Sequence, residues 1–365
     1  MPITTTPRKI LLIRLDFLGD MICTTPLLAA LRQEYPGARI AVLATRYNRV
    51  ALDRNPDIDV VYTYVFSKQS ERNERPGMLR TWWDRLRLLR RLRSEHFDLV
   101  LIPNGGMNKN SINFARQLGA AQVIHRDANN EFDDRNPEHV RNRPIEHEAL
   151  SGFRLLGLDP GRHAPLRLRL YPDPAQPVTL PNASGRPRLG LFVTARDPAR
   201  IWPTEHWATL ARTLAADFQV IFLWSPGPAG QVFIRGDDDQ AATLRRQLDG
   251  IPGINFVPTP TVADLFAVAA RLDYAVTPDG APVHVCAALQ RPLVALFENR
   301  REKYDRWSPL GVAHRLLHAE AGATVGDIGP ATVRAAVVAL HTECSAAPPA
   351  ATSDPAAHPA VEASS

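Results

Sequence analysis

The feature that most restricts this chain is a strand–loop–helix–strand succession that appears near the N-terminus and begins again after a proline-rich break. Residues 9–15 (KILLIRL) are an apolar run of strand length, Ile22, Leu27, Leu28 and Leu31 recur at helical spacing within 20–34, and residues 39–44 (RIAVLA) are a second apolar run. Two strands joined through a helix run parallel, because a tight turn joins only antiparallel neighbours. The helix is expected to stop at Tyr35-Pro36-Gly37, since proline and glycine both interrupt helical hydrogen bonding. Further strands are expected at 60–66, 98–102 and 122–125, and helices at 79–93, 111–118 and 146–156, with 127–143 a polar loop. Between 171 and 187 stand five prolines together with Asn182, Ser184 and Gly185, turn formers that suit a linker. The pattern then restarts, with strands at 188–193, 219–224, 274–277 and 293–297 and helices at 204–216, 241–248, 262–270 and 282–289. The expectation is an α/β fold of two facing Rossmann-like lobes with a cleft between them. The lobes are 1–171 and 188–344, the linker is 172–187, and the Ala-, Pro- and Ser-rich tail 345–365 has too little apolar surface to order.

Composition narrows the function classes. A chain of 365 residues can bury two cores of ordinary size. No apolar run reaches membrane-spanning length, and the first one is broken by Arg14 and Asp16, so a signal peptide is not expected and a cytoplasmic location is. Cys23, Cys286 and Cys344 are scattered, without metal spacing or an even disulfide set. The net charge is +5, and of 43 basic residues only Lys9, Lys68, Lys109 and Lys303 are lysines. A basic surface suits phosphate-bearing partners of several kinds. The helix at 79–93 sets six arginines beside Leu79, Trp82, Trp83, Leu86, Leu89 and Leu92. Either the tryptophans belong to the core and the arginines solvate the outer face, or the helix meets the anionic inner face of a membrane. No nucleic-acid recognition module accompanies it, and nucleic acid is not expected as a partner.

Three strand-to-helix loops carry residues suited to chemistry. The first holds Asp16, Gly19 and Asp20 at the carboxyl end of the first strand, the edge at which open parallel sheets bind ligands. Asp20 is either a helix cap or first-turn acid answering the helix dipole, or a carboxylate able to accept a proton from a hydroxyl. Asn104 ends a neighbouring strand on the same lobe. The loop lacks the three glycines of a dinucleotide fingerprint. The second loop, 194–203 (TARDPARIWP), brings Thr194, Arg196 and Arg200 before a helix N-terminus, an arrangement suited to phosphate. The third holds Asp279, Gly280, Ala281, Pro282 and His284; small residues there expose backbone N–H groups to an anion, and His284 either donates to a phosphate or packs in the core. Asp237-Asp238-Asp239 reads as the acidic start of a helix rather than as a metal site.

Taken together, these loops resemble glycosyltransferase family 9, the heptosyltransferase family. The resemblance rests on residues 9–31 (KILLIRLDFLGDMICTTPLLAAL), 194–207 (TARDPARIWPTEHW) and 277–297 (TPDGAPVHVCAALQRPLVALF), and spans roughly 9–317. It implies a GT-B fold with the acceptor on the first lobe and the nucleotide sugar on the second. It implies inversion at the anomeric carbon and no obligatory cofactor or metal. The expected donor is a nucleotide sugar, ADP-heptose, and the expected acceptor a phosphorylated glycolipid or glycan of the lipopolysaccharide core. By position, Asp20 falls on the family's catalytic aspartate. Arg200 stands where a phosphate-binding lysine is common, and Asp279, Gly280, Ala281 and His284 fall on the donor loop. A hydroxyl residue common in that loop is missing here. The alternatives are a non-catalytic glycan or nucleotide binder on the same fold and a related nucleotide-sugar epimerase or hydrolase.

Overall fold

The computed structural model describes residues 6–66, 73, 77–227, 236–320, 322–346 and 362–363. The chain divides into two compact units at Tyr171/Pro172, each built on its own parallel sheet.

In the first unit, β1 (Lys9–Arg14) is central, flanked by β2 (Arg39–Ala44) and then β3 (Val60–Thr63) on one side and by β4 (Leu99–Ile102) and then β5 (Gln122–His125) on the other. The near-continuous apolar runs of β1 and β2 reflect burial on both sheet faces. Helix α1 (Leu18–Glu34) follows β1 and is buried over most of its surface. Pro26 lies inside it, and a proline cannot return an N–H to the carbonyl four residues earlier. The Thr25 hydroxyl donates to that carbonyl, Ile22 O, at 2.7 Å, so the helix runs through the proline with its backbone satisfied. Helix α2 (Met78–Ser94) buries Thr81, Leu88 and Leu92. The unit continues with α3 (Lys109–Arg116), α4 (Pro137–Asn142) and α5 (Ser151–Leu156).

Two expectations for this unit are corrected. The segment 127–143 is not wholly loop: Asn136 caps α4 by accepting from the Glu138 N–H, and Pro137 takes the first turn, where its missing N–H costs nothing. The helix expected at 146–156 is a 3-10 turn, Glu148–Leu150, leading into α5. His147 accepts from the Ala149 N–H and tightens that turn, and Gly157 ends α5 in the left-handed conformation at φ 69°.

The second unit repeats the scheme. β6 (Arg188–Phe192) is central, with β7 (Gln219–Trp224) and β8 (Ile254–Pro258) on one side. On the other stand β9 (Tyr274–Pro278), β10 (Leu293–Phe297) and β11 (His314–His318). Its helices are α6 (Thr204–Leu214), α7 (Asp238–Gln247), α8 (Val262–Ala269), α9 (Ala281–Ala288), α10 (Arg301–Trp307) and α11 (Pro330–Ala346). Of these elements β8, β11, α10 and α11 go beyond the sequence expectation. β8 and β11 are short edge strands of mostly half-buried residues, lacking an uninterrupted apolar run. The proline-rich segment packs on this unit: Gln219 Nε2 donates to Asn182 O, Arg188 Nη2 to Pro181 O and Gln176 Nε2 to Asp264 Oδ1.

The tail expected without structure from 345 starts later. α11 carries the chain to Ala346, burying Val333, Val337 and Leu340 at helical spacing. Near the C-terminus, β12 (Glu362–Ala363) pairs in parallel with Val60 and Val61. The rest of that tail, and 228–235 of the loop after β7, lie outside the described residues.

In both sheets the strand order reverses beside the first strand: β1 has β2 and β4 as neighbours, and β6 has β7 and β9. The loops leaving the carboxyl ends at such a reversal point diverge to opposite faces and open a crevice for a ligand. The loops after β1 and β4 are those of Asp16 and Asn104; the loops after β6 and β9 are those of Arg200 and Asp279.

Candidate active site

The first crevice is organised by a buried arginine. Arg14, the last residue of β1, is 1% exposed, and an isolated cation at that depth would be strongly unfavourable. It is instead surrounded by acceptors. Its Nη2 donates to Asp20 Oδ1 at 2.8 Å and to Glu148 Oε1 at 2.7 Å, and its Nη1 donates to Pro103 O at 3.2 Å. Its Nε lies 3.2 Å from Asp16 Oδ2. Three carboxylates thus face one guanidinium. Asp16 is fixed in turn by the side-chain amides of Asn104 and Asn108. Asn48 ties the loop down by donating to the carbonyls of Arg14 and Asp16.

Asp20 is not the cap of α1. That position belongs to Phe17, which makes no side-chain cap hydrogen bond; Asp20 sits in the first turn, where the positive end of the helix dipole favours a carboxylate. Its side chain keeps 18% of its surface in contact with solvent, against 1% for Glu148, so of these two acids it is the one that a substrate can reach. Burial raises the Asp20 carboxyl to about 6; Arg14 pulls it down, and Asp16 and Glu148 push it up again. Burial alone would make Arg14 less basic, but Glu148, Asp20 and Asp16 outweigh it and hold the guanidinium firmly protonated. A carboxylate near 6 is about nine-tenths ionised at pH 7 and is a stronger base than an ordinary aspartate.

Glu148 is not among the residues that the sequence singles out. It lies 134 positions from Arg14, in a segment whose apolar spacing suggests only a helix. The signal available in the sequence is Arg14 itself, a cation ending an apolar strand that must find carboxylates somewhere in the fold. Gly152 packs closely on α1: a Cβ there would fall 2.3 Å from Leu27 Cδ2 and 3.1 Å from Pro103 Cβ.

The second crevice holds Arg200 at the end of a 3-10 turn, Pro198–Arg200, capped by Asp197. Its Nε lies 3.3 Å from Asp279 Oδ2 and 3.3 Å from Glu298 Oε1. Among the described residues neither Nη makes a hydrogen bond, so the outer fork of the guanidinium remains available to a bidentate anion. Glu298, the residue after β10, is a second group that sequence reasoning misses, because the apolar run that marks the strand ends at Phe297. The loop behind Arg200 is anchored by Trp202 and Trp207, both fully buried and packed edge to face at 4.6 Å, with Trp202 Nε1 donating to Ile328 O at 2.8 Å.

The remaining expected site residues fall as follows. Thr194 accepts from the Ser225 N–H at 3.3 Å, and Arg196 is exposed. Asp279 is buried beside Arg200, while Gly280, Ala281 and Pro282 are half-buried at the start of α9. The turn offers fewer backbone donors than its small residues suggest. Pro282 has no N–H, and that of Val283 returns to Gly280 O at 3.1 Å. His284 is 3% exposed with its ring edge-on to Trp307 at 5.9 Å, so it packs in the interior of this unit. Gly19 is buried in the first turn of α1. Asp238 is a structural acid, accepting from Trp224 Nε1 at 2.8 Å and from the Gly227 N–H at 2.9 Å.

The chain as a whole is similar to known proteins. The model of glycosyltransferase family 9 (heptosyltransferase) matches residues 158–325. Lipopolysaccharide heptosyltransferase 2 of Salmonella typhimurium is 26% identical over 313 residues, covering 79% of this chain and 82% of its own. Among solved structures, a family 9 glycosyl transferase from Veillonella parvula superposes with a TM-score of 0.69 at 16% identity, over 92% of this chain and 97% of its own. The ADP-heptose lipopolysaccharide heptosyltransferase II of E. coli gives 0.64 at 22% identity, over 93% of this chain and 100% of its own. The two parallel-sheet lobes are those of the GT-B fold, and the chain is similar to the heptosyltransferases of glycosyltransferase family 9.

Proposed function

We infer that this chain is an inverting glycosyltransferase that moves a heptose from ADP-heptose to an acceptor of the lipopolysaccharide core. The observation that carries the reading is the Asp20 carboxylate, partly exposed at the strand reversal of the first unit and raised to about 6. In the reaction, Asp20 takes the proton of the acceptor hydroxyl. That oxygen forms the bond to the anomeric carbon, the bond from this carbon to the diphosphate oxygen breaks, and its electron pair leaves with ADP. Arg200 offers its guanidinium fork to the departing diphosphate, whose growing charge it offsets. The donor's identity rests on the relatives, and these two residue roles rest on their geometry. The test is ADP release from ADP-heptose with and without a heptose-deficient core acceptor. Release that requires acceptor supports transfer; equal release without acceptor would mean a hydrolase, and none at all a binding protein.

The acceptor reading extends to a membrane contact. No described helix is long and apolar enough to cross a membrane, so a lipid-borne acceptor would be met at the surface. Of the two readings of this helix, the one that puts Trp82 and Trp83 in the core does not hold: they are 59% and 52% exposed, and Met78 and Leu79 precede them in the open. Arg80, Arg87 and Arg90 are exposed beside them. Arg85 instead turns inward to Tyr64 and Val65 O, and Arg91 lies over the Tyr62 ring. Exposed tryptophans flanked by arginines suit an anionic lipid surface, each cation contributing about 1 kcal/mol. Binding to anionic but not neutral vesicles, lost in Trp82→Ala/Trp83→Ala and weakened by salt, is the expected result; indifference to anionic vesicles at low salt removes α2 from the account.

A further inference from the structure

The cluster around Arg14 contains three acids where an ion pair needs one. Arg14 Nη2 donates to two carboxylates at once, Asp20 Oδ1 at 2.8 Å and Glu148 Oε1 at 2.7 Å. Glu148 is almost wholly buried, and its Oε1 also accepts from the Gly105 N–H at 3.2 Å. It therefore has no route to substrate, yet the turn in which His147 accepts from the Ala149 N–H carries it to the same guanidinium nitrogen that Asp20 uses. Burying a third carboxylate here is unfavourable unless it does something for the site. If Arg14 served only to neutralise Asp20, the pair would be an inert structural ion pair with a weakly basic carboxylate.

We propose that Glu148 is a positioning residue for the transfer reaction: by sharing Nη2 of Arg14 with Asp20, it prevents an exclusive Arg14–Asp20 pair and keeps Asp20 basic enough to take the acceptor's proton. The charged groups that face Asp20 from the elements packed against it are Arg14 at the end of β1, Asp16 in the loop before α1, and Glu148 in the turn before α5. Asp16 is held by the amides of Asn104 and Asn108, which stabilise its charge but cannot compete for Arg14. Glu148 is the acid that competes for the same nitrogen as Asp20. This inference rests on the reading of Asp20 as the base.

The test compares pH–rate profiles of wild type, Glu148→Gln and Glu148→Asp, with Asp20→Asn as the control. In Glu148→Gln the new side chain is neutral and leaves Arg14 to Asp20, so the acid limb of kcat should move to lower pH by about one unit or more. The plateau should fall several-fold as the base weakens, with KM for ADP-heptose little changed. Glu148→Asp keeps the charge and should hold the limb near its wild-type position, even if the shorter side chain lowers the rate. A lower rate in Glu148→Gln with an unmoved acid limb would reduce Glu148 to a packing residue and overturn the proposal. Near-normal turnover in Asp20→Asn would instead overturn the parent reading, so the two failures are distinguishable. Should Glu148→Gln fold poorly, the carboxyl signals of labelled aspartate in Glu148→Asp and wild type, assigned by their loss in Asp20→Asn, report the Asp20 titration directly; a midpoint in Glu148→Asp lowered well below wild type despite the retained charge would contradict the proposal.

Discussion

Each unit places an arginine on the carboxyl side of its first strand, Arg14 at the strand end and Arg200 in the following loop, and the two are partnered in opposite ways. Arg14, at the end of β1, donates from both Nη atoms to Asp20, Glu148 and Pro103 O, has Asp16 3.2 Å from its Nε, and is 1% exposed. Arg200, in the loop after β6, is held among the described residues at Nε by Asp279 and Glu298, and its side chain keeps 23% of its surface open. An arginine enclosed by carboxylates makes a site whose reactive group is a carboxylate; an arginine fastened at one edge makes a site that can receive an anion. On the proposed reading, one repeated sheet topology serves a base in one unit and a diphosphate in the other, because the polar partners around the two arginines differ.

The largest expected effect concerns what holds the Arg200 loop. Trp202→Ala removes a fully buried ring, its edge-to-face contact with Trp207 and its hydrogen bond to Ile328 O. A loss of about 3–5 kcal/mol in unfolding free energy is expected from urea denaturation; a loss under about 1 kcal/mol would mean that the loop is anchored elsewhere. Next comes the anion role. Arg200→Ala should weaken ADP binding by about 1–3 kcal/mol in calorimetry, the value of charge-assisted hydrogen bonds. Unchanged affinity would erase the contrast between the two arginines. The smallest effect lies in the first unit and is one of stability. Because folding raises Asp20 to about 6, the folded state holds that proton more tightly than the unfolded chain does. Ionising it therefore costs stability as pH rises from about 4 to about 6. Asp20→Asn carries no such cost, and Arg14 keeps Glu148 and Asp16. The variant should melt at or above wild type at pH 7.5, by up to about 1–3 kcal/mol, with the difference gone by pH 4. A variant less stable than wild type at pH 7.5 would show the Asp20–Arg14 pair to be net stabilising.

Much of this arrangement was legible in the chain. The apolar runs of β1, β2, β6, β9 and β10 are buried on both faces and announce themselves as strands, and the loops after them are short enough to locate Asp20, Arg200 and Asp279 directly. The partners were not legible. Glu148 and Glu298 are acids in ordinary local patterns, and only the fold brings them to Arg14 and Arg200. Periodicity also misjudged α2: Trp82 and Trp83 fall at helical spacing with Leu86 and Leu89, but the buried face runs through Thr81, Leu88 and Leu92. Helical spacing gives a face, and which face meets the sheet is decided by tertiary packing. His284 shows the converse, a residue on a functional-looking loop that the helix turns into the interior.

The central claim is that the first crevice presents Asp20 as the proton acceptor while the second binds the diphosphate without it. The most direct measurement pairs the turnover of Asp20→Asn with its ADP affinity. The account predicts a folded protein that binds ADP as wild type does and transfers sugar about 100-fold more slowly or worse, the loss expected when a general base is removed. Near-normal transfer by that variant would contradict it.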